Sequence, residues 1–203
     1  MATSALLVRL DAKHGKDTEI EPLLLSVLPI VEDEPSTIAW FAVRFGRGEY
    51  GIFEVFSDDS ARQAHLQGPI ASALERVSAL CEVPPRIERI DIIAEKMPIV
   101  TTLPDTKGLL LTFKAKPGHE ADVENFLRRA QLMAMSEPET TAWFAIRTAA
   151  GEYGIFDVFP DNAGRFAHLV GHVTRELAKE SLTLLGSAPH LEMVSVKAEK
   201  LAA

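Results

Sequence analysis

The 203-residue sequence has one cysteine, Cys81. An intramolecular disulfide is excluded, and the thiol, with no identifiable partner, reads as a small buried hydrophobe in a reducing compartment. Basic charge is short as well: 21 Lys and Arg against 29 Asp and Glu leave a net charge of −8, with no basic stripe in either half. This argues against nucleic acid or an anionic membrane as partner. No apolar run approaches the length that crosses a bilayer. The N-terminal Met1-Ala2-Thr3-Ser4-Ala5-Leu6 lacks the basic and long apolar regions of a secretory signal, so a cytoplasmic location is expected. Gly-rich phosphate loops and Ser/His/Asp motifs are missing, which leaves nucleotide-dependent and hydrolase chemistry unsupported.

What is present is one stretch, twice. Thr37-Ile38-Ala39-Trp40-Phe41-Ala42-Val43-Arg44, Gly48-Glu49-Tyr50-Gly51-Ile52-Phe53-Glu54-Val55-Phe56 and Arg62-Gln63-Ala64-His65-Leu66 return as Thr140-Thr141-Ala142-Trp143-Phe144-Ala145-Ile146-Arg147, Gly151-Glu152-Tyr153-Gly154-Ile155-Phe156-Asp157-Val158-Phe159 and Arg165-Phe166-Ala167-His168-Leu169. Trp143 follows Trp40, and His168 follows His65, at the same offset of 103. The chain is a tandem duplication, and each copy of about 100 residues is long enough for a modest core.

Each copy reads βαββαβ. Leu6 to Leu10 is a short apolar run before the turn at Lys13-His14-Gly15, hence a strand. From Asp17 the period changes: Ile20, Leu24, Val27, Leu28 and Val31 recur at helical spacing up to Glu34-Pro35. Residues 37–45 and 49–56 form a hairpin around Gly46-Arg47-Gly48. Phe41, Val43 and Phe45 share one face; Ile38, Trp40, Ala42 and Arg44 share the other. Register should pair the apolar row with Gly51, Phe53 and Val55, and the mixed row with Tyr50, Ile52, Glu54 and Phe56. Asp58 caps a helix that Gly68-Pro69 bends or restarts, and Ile87 to Glu95 is the fourth strand.

The second copy repeats every element. Leu191 to Ala198 closes it one residue late, through an insertion near Gly186. The expected fold is α+β: ferredoxin-like repeats at 1–97 and 108–203, joined by a linker at 98–107. A sheet with helices on one face only must cover the other. The two repeats are therefore expected to form an intramolecular pseudo-dimer, their sheets packed together or closed into a barrel. An outer strand edge in each repeat would remain to pair with another chain, giving a homodimer.

The βαββαβ order, the Ala64-His65-Leu66 and Ala167-His168-Leu169 motifs, and hairpins ending in Phe-Glu-Val-Phe or Phe-Asp-Val-Phe resemble the antibiotic biosynthesis monooxygenase-like family. That family lies in the dimeric α+β barrel superfamily, and the resemblance covers residues 5–97 and 108–200. It implies oxygenation of phenolic or quinol substrates without metal or flavin or, in haem-degrading relatives, haem held by a helix histidine. The family's Trp before the second helix is replaced here by Phe56 and Phe159. Strand 1 lacks the Asn of the haem-degrading relatives, and only copy two has a second nearby histidine, His172. Haem degradation is accordingly disfavoured.

A cofactor-free oxygenase must turn its substrate into an electron-rich anion, which requires a base, a group to hold the anion and a dry cavity. His65 and His168 are the candidate bases. Arg44, Arg147, Tyr50 and Tyr153 are candidates for holding the anion, and Trp40 and Trp143 for stacking on an aromatic ligand. The alternative is a non-catalytic binding or structural module. In it the histidines bond to backbone, the tryptophans pack in the core, and Arg44 with Glu54 and Arg147 with Asp157 form cross-strand ion pairs. His168 and His172, at i and i+4, would share a helical face, but without a third ligand no metal site is expected.

Overall fold

The computed structural model describes residues 2–97 and 105–201. Positions 98–104 of the expected linker lie outside the described residues. The chain divides into two compact units, Met1–Ile90 with Ser195–Ala203, and Asp91–Val194. Copy one contributes β1 (Ser4–Asp11), α1 (Asp17–Leu25), α2 (Leu28–Glu32), β2 (Thr37–Gly46), β3 (Glu49–Phe56), α3 (Asp59–Gln67), α4 (Ile70–Ser78) and β4 (Arg86–Lys96). Copy two contributes β5 (Lys107–Lys114), α5 (Glu120–Met135), β6 (Ala142–Ala149), β7 (Glu152–Phe159), α6 (Asn162–Leu169), α7 (His172–Leu184) and β8 (His190–Leu201).

Hairpin register follows the side-chain pattern. Phe41 lies opposite Phe53, Trp40 opposite Glu54 and Arg44 opposite Tyr50; Phe144, Trp143 and Arg147 repeat this with Phe156, Asp157 and Tyr153. The strand order, β1-β3-β2-β8-β5-β7-β6-β4, is that of a closed barrel. The fourth strand of each copy does not simply close its own unit. With 11 and 12 residues, β4 and β8 span roughly 36–40 Å at ~3.3 Å per residue. Each therefore runs beyond its own ladder: Asp91–Lys96 pair with β6, and Ser195–Leu201 pair with β2.

The helix expected from Asp17 to Glu34 is broken into α1 and α2, whereas its counterpart α5 runs unbroken for 16 residues. Pro29 explains the difference. It has no N–H to donate, and its ring crowds the carbonyl four residues back; copy two has Leu132 at the equivalent position. The other helix pair restarts at Gly68-Pro69 and at Val170-Gly171. Asp58 and Asp161 cap α3 and α6, accepting from Ala61 N at 2.8 Å and Gly164 N at 2.9 Å. The one-residue insertion lies earlier than Gly186. Ala12 bridges Cys81 and Ala115 bridges Leu185, so the offset is already 104 at the end of α7.

In each unit the mixed hairpin face turns toward the helices. Trp40, Ala42, Tyr50 and Ile52 pack with Ile20, Leu24, Val31, Ile70 and Val77. Trp143, Ala145, Tyr153 and Ile155 pack with Val123, Phe126, Leu127, Val173 and Leu177. Each leucine or phenylalanine fully buried there contributes roughly 1.5–3 kcal/mol. This orientation puts Glu54 and Asp157 under the helices that carry His65 and His168.

Candidate active site

His65 lies in the last turn of α3, and its side chain is 1% exposed. Two carboxylates grip it: Nδ1 is 2.5 Å from Glu34 Oε2, and Nε2 is 3.2 Å from Glu54 Oε1. The Thr37 hydroxyl donates to Glu34 Oε2 at 3.0 Å and lies 3.4 Å from Nδ1. The loop holding Glu34 is itself fixed by Lys200, whose ammonium donates to the carbonyls of Val31, at 2.6 Å, and Glu34. Burial opposes a charge on the imidazole, but the flanking carboxylates outweigh it and push the His65 pKa up to about 9. His65 is thus an imidazolium at neutral pH, and the ring of Phe56 packs on it at 5.1 Å.

Copy two repeats the arrangement with one methylene fewer. His168 Nδ1 is 2.7 Å from Glu137 Oε2, with Thr140 donating to the same oxygen at 2.9 Å. Lys96 donates to the carbonyls of Ala134 and Glu137 at 2.9 and 2.7 Å. Where copy one has Glu54, copy two has Asp157, and the shorter side chain leaves Oδ2 3.5 Å from His168 Nε2. That is an ion-pair separation rather than a good hydrogen bond. Asp157 Oδ1 is buried without a hydrogen-bond partner. Burial raises the Asp157 pKa to about 7, against the pull of His168 and with the push of Glu137. For His168, burial is again outweighed by the neighbouring carboxylates, and its pKa is raised. Asp157 therefore titrates near neutrality.

The two copies differ most in the space beside these groups. In copy two a cavity of about 340 Å³ is bounded by Asp157, His168 and a largely apolar wall that includes Leu111, Ile155 and Leu177. Its counterpart beside His65 and Glu54 holds about 30 Å³. The first is of small-ligand size; the second has room for about one water.

The remaining sequence candidates do not join the histidines. Trp40 and Trp143 are fully buried in the helix-side cores, and neither borders either cavity. Arg44 pairs with Asp17 at 3.1 Å, and Tyr50 donates to the same carboxylate at 2.7 Å. Burial and that bond raise the Tyr50 pKa to about 12. Arg147 pairs with Asp91 at 2.7 Å and Glu124 at 3.0 Å, and Tyr153 reaches Glu124 at 3.4 Å. Tyr50 and Glu54 are four residues apart on β3, about 13 Å along the strand, so the Arg-Tyr clusters tie the far end of each hairpin to the first helix of its copy. The expected Arg44–Glu54 and Arg147–Asp157 ion pairs are replaced by these contacts, because the carboxylates opposite the tryptophans are engaged by histidine. His172 is exposed on α7 while His168 is buried on α6; the helix break between them separates the expected shared face. Among the described residues no group of three or more His, Cys, Asp or Glu is placed to hold a metal ion.

Sequence reasoning missed Glu34, Glu54, Glu137, Asp157, Thr37 and Thr140 as site residues. A signal was present: Glu34-Pro35-Ser36-Thr37 recurs as Glu137-Pro138-Glu139-Thr140. In each, the proline ends the helical path and leaves the Glu and Thr facing the histidine.

No protein-family model and no curated protein matches this chain. Among solved structures, a proposed monooxygenase from Fusobacterium nucleatum is similar with a TM-score of 0.87 at 14% identity, over 98% of this chain and 94% of its own. A Listeria monocytogenes ferredoxin-fold protein, described as uncharacterized and related to antibiotic biosynthesis monooxygenases, gives 0.58 at 6% identity over 97% and 95%. A Nitrosomonas europaea protein of unknown function is 42% identical over 49% of this chain and 96% of its own, with a TM-score of 0.47. The chain thus shares the fold of the first two of these proteins over nearly its whole length.

Proposed function

We propose that the protein is a cofactor-independent monooxygenase-like enzyme that oxidises a small aromatic or quinol-type molecule in the copy-two cavity. The observation that carries this reading is the pairing of a ligand-sized apolar cavity with a buried carboxyl whose second oxygen has no partner and whose pKa lies near 7. Asp157 is the base. It accepts the proton of an acidic phenolic O–H or activated C–H, and His168 beside it, whose protonated form the neighbouring carboxylates favour, steadies the resulting anion. Glu137 and Thr140 hold His168, so the ring is fixed in position before substrate arrives. The anion, lying against a largely apolar wall, then reacts with dioxygen directly. Asp157 rather than His168 is taken as the base, because the carboxylates around His168 raise its pKa and favour its protonated form. The non-catalytic alternative keeps the same cavity as a binding site.

The test is oxygen uptake by metal- and flavin-free protein with hydroquinones and anthrone-like phenols, run beside Asp157→Asn. The proposal expects uptake with at least one compound and a loss of 100-fold or more in the variant. Uptake of equal rate in both proteins would remove Asp157 as base.

A further inference from the structure

The duplication supplies an internal comparison. The wall of the copy-one cavity takes Ile70, Ala73, Leu74 and Val77 from α4. The copy-two wall takes Val173, Thr174, Leu177, Ala178 and Ser181 from α7. The last four repeat the α4 spacing at an offset of 104, which the bridges at Cys81 and Leu185 give at the far end of the two helices, whereas Gly68 and Gly171 at their start correspond at 103. At three of the four positions copy two has the smaller or more polar side chain: Thr for Ile, Ala for Leu, Ser for Val. The fourth exchange, Leu177 for Ala73, runs the other way; both residues also belong to the core cluster of their unit. Copy one is narrowed from a second side as well. Leu24 at the end of α1 and Val27 in the break before α2 reach its cavity, whereas their counterparts Leu127 and Ala130, on the unbroken α5, do not border the copy-two cavity. The carboxyl follows the same division. Glu54 is long enough to bond His65 closely, while Asp157 stops short and keeps one oxygen free.

We infer that each chain binds one ligand molecule, in copy two, and that Thr174, Ala178 and Ser181 are the specificity-determining positions that hold the cavity open. Copy one is a silent site: Ile70, Leu74 and Val77 occupy the ligand's place, and His65 with its two glutamates is a fixed strut. The inference rests on the functional reading only in taking the copy-two cavity as the ligand site; it does not require turnover. The cavity's volume and lining favour a small, mostly apolar molecule with one acidic hydroxyl directed at Asp157. The Thr174 and Ser181 hydroxyls donate to the carbonyls of His168 and Ala178 at 3.0 and 2.8 Å. They can therefore only accept from a ligand, and a second hydroxyl on it would be favoured over a carbonyl.

The experiment is calorimetric titration with 1-naphthol and 1,5-dihydroxynaphthalene of the intact chain and two triple variants, each checked by melting curve and circular dichroism. The intact chain should bind one equivalent, the dihydroxy compound more tightly. Thr174→Ile with Ala178→Leu and Ser181→Val, which installs the copy-one side chains, should weaken binding at least 10-fold in a folded protein. Ile70→Thr with Leu74→Ala and Val77→Ser should add a second equivalent or leave the first unaltered. Two equivalents in the intact chain, unchanged affinity in the first variant, or no binding of either compound would overturn the inference. One equivalent bound without oxygen uptake would sink the oxygenase reading and leave this one standing.

Discussion

Replacing His65 by Gln should change how stability depends on pH and leave the chemistry alone. In the folded protein the His65 pKa stands at about 9, against an ordinary value of 6.5. A raised folded-state pKa means that the folded protein holds the proton more tightly than the unfolded chain does. The stabilisation is then fully present below pH 6.5 and is lost as pH rises through 9. At ~1.4 kcal/mol per pH unit it amounts to about 3 kcal/mol at pH 6, about half of that near pH 8, and close to nothing above pH 9.5. Urea denaturation of the native and His65→Gln proteins from pH 6 to pH 10 measures the difference directly. The variant also leaves Glu34 and Glu54 without their partner, which displaces its whole curve, so the diagnostic quantity is the convergence of the two curves with rising pH. Parallel curves across this range would refute the strut assigned to His65.

The opposite sign is expected at Asp157. Its pKa is raised, so the folded state loses stability as pH climbs from about 4 through 7. Asp157→Asn should therefore stabilise the protein at pH 8 by roughly 1–4 kcal/mol while removing activity, and a melting temperature below the native one would contradict this. If Asp157 is the base, kcat/KM for a hydroquinone should rise with pH through about 7, and a profile flat from pH 5 to 9 would exclude it. Tyr50→Phe, which removes the bond to Asp17, should lower Tm by about 2–4 °C with oxygen uptake unchanged; a comparable fall in uptake would return the Arg-Tyr cluster to the active site.

The fold was legible because the duplication marks every element twice and the hairpin alternation admits one register. Trp40 opposite Glu54 and Phe41 opposite Phe53 follow from the period of two alone. The break at Pro29 was legible in principle, since copy two has no proline there, but the apolar spacing runs straight across it. Nothing in local pattern announces that β4 and β8 outrun their own ladders; only their length does. The histidines were legible as a repeated motif, their chemistry was not. A histidine's protonation depends on what faces it, and its partners come from positions 31 residues before and 11 residues before in the chain. The difference between the two copies was written in Glu54 against Asp157 and in the α4 and α7 side chains, but it acquires meaning only once those side chains are known to bound a cavity. The Trp, Arg, Tyr and His residues recur in both copies, but recurrence marks shared structure as readily as shared chemistry.

The central claim is that copy two does the chemistry and copy one holds the fold. It is tested most directly by oxygen uptake of His65→Gln and His168→Gln, measured side by side at pH 7 with a substrate that the native protein turns over. Both variants should melt at lower temperature than the native protein. Only His168→Gln should lose turnover, by 10-fold or more, as the anion loses its cation. Equal losses in the two variants, or a loss confined to His65→Gln, would contradict the assignment.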